Sequence, residues 1–176
     1  MYSATGRESV SMDLYLVRHA IAFDRDSVTW PADAERPLTP QGIERFRQAA
    51  RGLHSLVPSV DVVLSSPYRR AWDTALLLRG EAGWPPPERC DALASGDVPA
   101  LLAAIAAHAS PRSIALVGHE PHLSEFATSL LFPLAERPAI EMKKGAVACL
   151  ECAEPLTGST AVLLWLLPPR ILRRLA

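Results

Sequence analysis

The sequence has few cysteines, almost no net charge and no long apolar run, and each shortage excludes a class of protein. Three cysteines in 176 residues are too few, and odd in number, for a disulfide framework, and they fit a chain kept in a reducing cytoplasm. Cys149 and Cys152 form a Cys-x-x-Cys, but residues 146–152 carry a strand pattern, in which positions three apart face opposite sides. No second cysteine or histidine pair lies nearby to complete a zinc site. The 18 lysines and arginines against 19 acidic residues leave a net charge of −1, so no global basic field draws the chain to nucleic acid or to an anionic membrane. Residues 1–11 lack the apolar stretch of a signal peptide. The longest apolar run, residues 161–167, is far short of the ~20 residues that cross a bilayer. No GxxxxGKS/T or GxGxxG loop is present, and no internal repeat.

What is present is ordinary for a globular protein: 49% hydrophobic and 21% charged residues. A chain of this length makes one domain that buries about 70% of the surface its unfolded form exposes. Proline is the exception. Its 16 residues are about 9% of the chain against a usual ~5%, and imply many stiff loops. Met12 directly precedes the first strand-like run, so residues 1–11 are expected to be a flexible extension and residues 12–176 a single domain.

Strand and helix signals alternate. Short apolar runs predict strands at residues 14–17, 61–65 and 113–117, with two later strands at 146–151 and 160–166 joined by a turn through Pro155 and Gly158. Thr39 as cap and Pro40 at the first helical position open a helix over residues 40–56, with Ile43, Phe46, Ala50 and Leu53 at helical spacing. Further helices are expected at residues 70–79, closed by Gly80, at 98–108 and at 123–131. Residues 20–37 and 81–89 read as loops. The tail, residues 168–176, with Arg170, Arg173 and Arg174 among apolar residues, is expected to form a short helix docked on the domain. This order predicts a three-layer α/β/α sandwich with a mostly parallel central sheet and an antiparallel edge.

The three strongest strand signals all end in polar groups: Arg18-His19 after Val17, Ser65-Ser66-Pro67 with Arg69-Arg70 after Leu64, and Gly118-His119-Glu120 after Val117. Ligands of open α/β sheets bind outside the carboxyl ends of the strands. Parallel neighbours would therefore bring two histidines and two or three arginines to one crevice. Arginine's planar fork matches phosphate oxygens, and a neutral histidine offers one nitrogen as a nucleophile.

Four blocks carry a resemblance. Leu16-Val17-Arg18-His19-Ala20 resembles the Arg-His-Gly signature of the histidine phosphatase superfamily, the phosphoglycerate-mutase-like fold, with Ala20 where glycine is common. Leu38-Thr39-Pro40-Gln41-Gly42 is similar to its Leu-Thr-x-x-Gly helix start. Ser65-Ser66-Pro67-Tyr68-Arg69-Arg70-Ala71, followed by Thr74, resembles its Ser-Pro-x-x-Arg-Ala-x-x-Thr motif, and Val117-Gly118-His119 its second histidine block. The short chain most resembles the SixA-like phosphohistidine phosphatases, since little sequence between Arg70 and His119 is left for a capping insertion.

The resemblance implies that His19 is the nucleophile that becomes phosphorylated. It implies that Arg18 and Arg70 hold the phosphate oxygens and that His119 completes the cradle, with no metal or other cofactor. Arg69 lies off the motif position and is expected to be exposed. His19 must attack as neutral imidazole, so its other nitrogen should donate to a carbonyl or carboxylate. A general acid has no clear motif; Asp91, Asp97 and Glu120 are the candidates. Asp97 also suits a helix cap and Glu120 a helix-entry charge. A phosphoramidate lessens the need for an acid, because its leaving nitrogen is far easier to protonate than an alkoxide. The expected activity is removal of phosphate from phosphohistidine on a signalling or phosphotransfer protein. The alternatives are hydrolysis of a sugar or nucleotide phosphate on the same fold, or a non-catalytic phosphate-binding module.

Overall fold

A computed structural model describes residues 11–153, 156 and 161–176. Six strands form one sheet in the order β3-β2-β4-β1-β5-β6. The strands are β1 (Ser11–Arg18), β2 (Val62–Ser65), β3 (Glu88–Arg89), β4 (Ser113–Gly118), β5 (Val147–Ala153) and β6 (Ala161–Leu167). Strands β3, β2, β4 and β1 run parallel, while β5 is antiparallel to both β1 and β6. The sandwich with an antiparallel edge is therefore the fold.

Two apolar layers sandwich the sheet because successive strand residues point to opposite faces. On β1, Tyr15 and Val17 join one layer with Phe46, Leu53 and Leu78, whereas Leu14 and Leu16 join the other with Leu101, Ile105 and Phe126. The first layer is covered by α1 (Pro40–Leu56) and α2 (Arg69–Ala82), the second by α3 (Ala92–Ser95), α4 (Val98–Ala106) and α5 (His122–Leu131). Cys149 and Cys152 fall in opposite layers as free thiols, so the Cys-x-x-Cys spacing is a consequence of strand geometry. Burial pushes both thiols up, Cys149 to about 11 and Cys152 to about 12.

Helix α1 matches its sequence signals at both ends. Thr39 Oγ1 accepts from the Gly42 N–H at 2.9 Å, as an N-cap should. Helix α2 runs past Gly80 to Ala82 and closes on Gly83, whose φ of 73° is left-handed. Gly80 was a plausible stop on composition alone, but the αL cap decides where the helix ends. The stretch expected to be a loop after it contains β3, whose two residues pair with Leu64 and Ser65; three prolines before so short a strand hid it. The tail forms α6 (Pro169–Leu172) and docks on α1. A Cβ at Gly52 would stand 1.8 Å from the Leu172 carbonyl oxygen, so only glycine permits this approach. Ser11, expected to belong to a flexible extension, instead pairs with Ala153 as part of β1. The rest of that extension, and the turn through Pro155 and Gly158, lie outside the described residues.

Candidate active site

The site stands where the strand order reverses. The chain leaves β1 for β2, returns to β4 between them, and then crosses β1 to β5. The carboxyl ends of β1 and β4 are thus neighbours, with Arg18 opposite Gly118, at the kind of switch point where α/β sheets bind ligands. His19 and His119 each follow these ends directly. Their rings stand 5.1 Å apart between centroids, and both are nearly fully buried. Arg70, in the first turn of α2, is equally buried and lies with its guanidinium 5.1 Å from the Tyr68 ring centre.

The motif residues that carry no charge hold this geometry. A Cβ at Gly42 would meet the Ile21 carbonyl oxygen at 2.1 Å. The glycine lets the first turn of α1 press against the segment that follows His19, and the Thr39 N–H donates to that same carbonyl at 3.0 Å. Thr74 Oγ1 accepts from the Ala20 N–H at 3.0 Å and donates to the Arg70 carbonyl at 2.6 Å, tying α2 to the end of β1. From the antiparallel side, the Gly145 N–H donates to the carbonyls of Arg18 and His19 at 3.1 and 3.0 Å. An Arg18 guanidinium nitrogen donates to the Met142 carbonyl at 2.5 Å.

Proton positions follow from the partners. His19 Nδ1 lies 2.7 Å from the Ala20 carbonyl. A carbonyl only accepts, so Nδ1 carries the hydrogen. Burial, against the raising effect of that hydrogen bond, pushes the His19 pKa down to about 3, with the charges of Arg70 and Arg18 adding to the fall. The ring is then neutral, with its lone pair on Nε2. His119 is driven down to about 2 by burial and by Arg70. Its Nε2 lies 2.8 Å from Ser66 Oγ, and Ser66 Oγ already accepts from the Tyr68 N–H. Among the described residues the Ser66 hydroxyl has no other acceptor for its own hydrogen, so donation to Nε2 satisfies both atoms and leaves the His119 hydrogen on Nδ1.

Among the described residues, the buried side-chain nitrogens without a partner are Arg18 Nε, Arg70 Nε, His119 Nδ1 and His122 Nδ1. Native interiors leave few such atoms unpaired, and here three of the four belong to side chains that flank His19. An oxyanion is the ligand that a set of N–H donors of this kind satisfies.

The three acids named from the sequence each have a partner of their own. Asp97 caps α4, accepting from the Ala100 N–H at 3.0 Å. Asp91 pairs with Arg89 at an exposed position. Glu120 follows His119 but accepts from Ser124 Oγ at 2.7 Å. None of them bonds to Arg18, His19, Arg70 or His119. Among the described residues, the carboxylate that bonds one of these four side chains is Asp33, in a short 3-10 turn (Asp33–Glu35) of the loop after His19. Its carbonyl and carboxylate take Arg70 at 2.9 and 3.1 Å. The hydrogen bond from Arg36, and then Arg70, hold its carboxyl below the usual carboxylate range. Sequence reasoning missed Asp33, because a loop with several acids has no period to single one out. Ser66 and Thr74 lay inside a motif, but only the fold displays what they hold. Arg69 is half exposed and pairs with Asp73, as its off-motif position predicts.

With the geometry in place, the relatives are informative. The family model for the histidine phosphatase superfamily (branch 1) matches residues 14–99. An uncharacterized protein of Picosynechococcus sp. is 37% identical over 124 residues, covering 69% of this chain and 74% of that one. The chain belongs to the histidine phosphatase superfamily. It is a phosphatase. The structure of the protein histidine phosphatase SixA complexed with tungstate is similar, with a TM-score of 0.77 and 24% identity over 92% of this chain and 99% of that one. A mycobacterial glucosyl-3-phosphoglycerate phosphatase also shares the fold, with a TM-score of 0.65 and 17% identity over 88% of this chain and 97% of that one. The fold therefore carries more than one substrate class. No helix among the described residues is long and apolar enough to cross a membrane.

Proposed function

We propose that this phosphatase is a metal-independent protein-phosphohistidine phosphatase that works through a phospho-His19 intermediate. The observation that carries the reading is the set of buried, unpartnered nitrogens on Arg18, Arg70 and His119, the side chains that stand about a neutral, buried His19. The donors take the three equatorial oxygens of the phosphoryl group, whose charge they stabilise as it spreads in a loose transition state. His19 Nε2 attacks phosphorus in line. The N–P bond to the substrate imidazole breaks, and that ring, already protonated on its other nitrogen, leaves as neutral imidazole. Water then attacks phospho-His19, releasing orthophosphate and restoring neutral His19.

The substrate class rests on the leaving group. The carboxylate that touches the site, Asp33, is held ionised by two arginines, so it is a poor proton donor at neutral pH. With Asp33 ionised, the site suits a leaving nitrogen better than an alkoxide. The likeness to SixA supports the same reading.

The test compares kcat/KM for a phosphohistidine-bearing carrier protein with that for p-nitrophenyl phosphate, both in EDTA. A large preference for the phosphoramidate is the expected result. A comparable or better rate on the aryl ester would overturn it and point to small phosphate esters as substrates. Loss of activity in EDTA would overturn the metal-independent mechanism.

A further inference from the structure

The structure holds a second, unassigned basic site beside the first. A groove of about 470 Å³ is lined by Arg45 of α1, Lys143 of the segment entering β5, and Arg170 and Arg173 of the tail, with Glu141 as the one carboxylate on its wall. Ile21, Leu166 and Pro169 add apolar lining and make the groove amphipathic. A narrow recess lined by Ala20 and Lys144 shares Arg45 and Arg173 with this groove, and so links it to the residue after His19. Both lie at the site end of the sheet, because Leu167 pairs with Val147 and Val147 with Val17. Lys143 is next to Met142, whose carbonyl holds Arg18.

The charge here is unusual for this molecule. The chain as a whole has a net charge of −1, yet four cations face one carboxylate across the groove. Arg36, Arg47, Arg51, Arg69, Arg70 and Arg89 all pair with carboxylates. Arg45, Lys143, Arg170 and Arg173 form no ion pair among the described residues. Cations gathered on a low-dielectric wall focus a positive potential and raise the local concentration of an anionic partner.

We infer that this groove docks an acidic segment of the substrate protein while its phosphorylated histidine sits at His19. Three features favour a polypeptide over a small anion. The groove is far larger than one phosphate, its cations come from three separate elements, and apolar side chains line it as well. An acidic segment with alternating apolar side chains matches both the cations and the apolar lining. The inference rests on the reading of the enzyme as a protein phosphatase, but its first test does not depend on turnover.

A fluorescein-labelled peptide of ten glutamates is the binding probe, followed by anisotropy against the full chain. Arg45→Glu/Arg170→Glu/Arg173→Glu should weaken binding at least tenfold. Arg79→Glu/Arg112→Glu/Arg137→Glu, which removes the same charge from exposed arginines elsewhere, should weaken it less than threefold. Wild-type affinity should fall steeply with added salt. In a second arm, the groove variant should lose about tenfold in kcat/KM on a phosphohistidine-bearing carrier protein and stay within twofold of wild type on p-nitrophenyl phosphate. Equal loss in the two triple variants, or undiminished peptide binding in the groove variant, would overturn the inference. So would a groove that takes anionic vesicles or RNA in preference to the peptide. Failure of wild type to turn over phosphohistidine would instead sink the proposed function, while leaving the peptide result interpretable.

Discussion

The two halves of the sheet are built by opposite rules. On the parallel side, β1, β2 and β4 deliver Arg18-His19, Ser65-Ser66 and Gly118-His119 to one end, and most buried polar side chains stand there or on α2. On the antiparallel side, β5 is buried along most of its length with no buried charge, and β6 leaves Val162 and Leu164 partly in solvent. Parallel strands bring their carboxyl ends together, so their trailing loops meet. An antiparallel neighbour presents its amino end instead. Its contribution is correspondingly made by backbone before the strand, through the Gly145 N–H and the Met142 carbonyl. The parallel half is built to present charge and the antiparallel half to hold it in place.

The sharpest way to break this comparison is to remove one atom set from each half. His19→Ala should cut kcat/KM by about 10⁴-fold or more, because the covalent route is lost. Its melting temperature should change little, since a buried neutral imidazole with one partner contributes only about 1 kcal/mol. A rate within tenfold of wild type would place the nucleophile elsewhere. Leu150→Ala, in the centre of β5 with no exposure, should do the reverse. It should cost about 3 kcal/mol of stability through lost burial and the cavity left behind, with kcat and KM unchanged well below the melting transition. A large kcat effect would mean that the antiparallel half tunes the chemistry as well as supporting it.

The parallel half was the more legible in sequence, for a physical reason. Strand ends, caps and the arginines after them are local signals, so Thr39, Arg70 and His119 could be assigned from their neighbours in the chain. The hydrogen-bond partner that His19 needs could be specified by type; the fold supplies the Ala20 carbonyl, one residue away. Contacts between distant segments were invisible. Nothing near Gly145 announces that its N–H will bond residues 18 and 19. Nothing in the loop sets Asp33 apart from Asp24 or Asp26. The helix stop at Gly83 rather than Gly80 and the two-residue β3 fail for the same reason, since pairing and packing outweigh composition there.

Acid should expose the strain of burying two histidines on one side of the sheet. Both folded-state pKa values, about 3 and about 2, lie below the ordinary value of about 6.5. Between these limits the unfolded chain binds protons that the folded chain refuses, so stability is full above about pH 6.5 and falls as pH drops towards the folded values. Each histidine should cost about 1.4 kcal/mol between pH 7.5 and pH 5.5. Urea melts at the two pH values measure this, and His119→Gln should remove about half of the difference. An unaltered pH slope in that variant would mean that His119 takes up its proton over the same pH range folded as unfolded.

The smallest expected effect concerns the loop that holds Arg70. Asp33→Asn keeps the carbonyl that accepts from Arg70 at 2.9 Å but removes the carboxylate at 3.1 Å. Two consequences oppose each other. Arg70 loses a charged partner that fixes its fork, and the substrate loses a rival anion. The Arg70 side chain is only 7% exposed and should depend on its partners for orientation, whereas the quarter-exposed Asp33 charge is screened, and such pairs are worth less than about 1 kcal/mol. Positioning should therefore win. KM and the inhibition constant for orthophosphate should rise about fivefold together, with kcat nearly unchanged, because phosphate binding is weakened before the transition state and in it alike. If both constants fall instead, Asp33 is a competitor that the phosphoryl group displaces on entry, and the loop is a plug on the site rather than part of its frame.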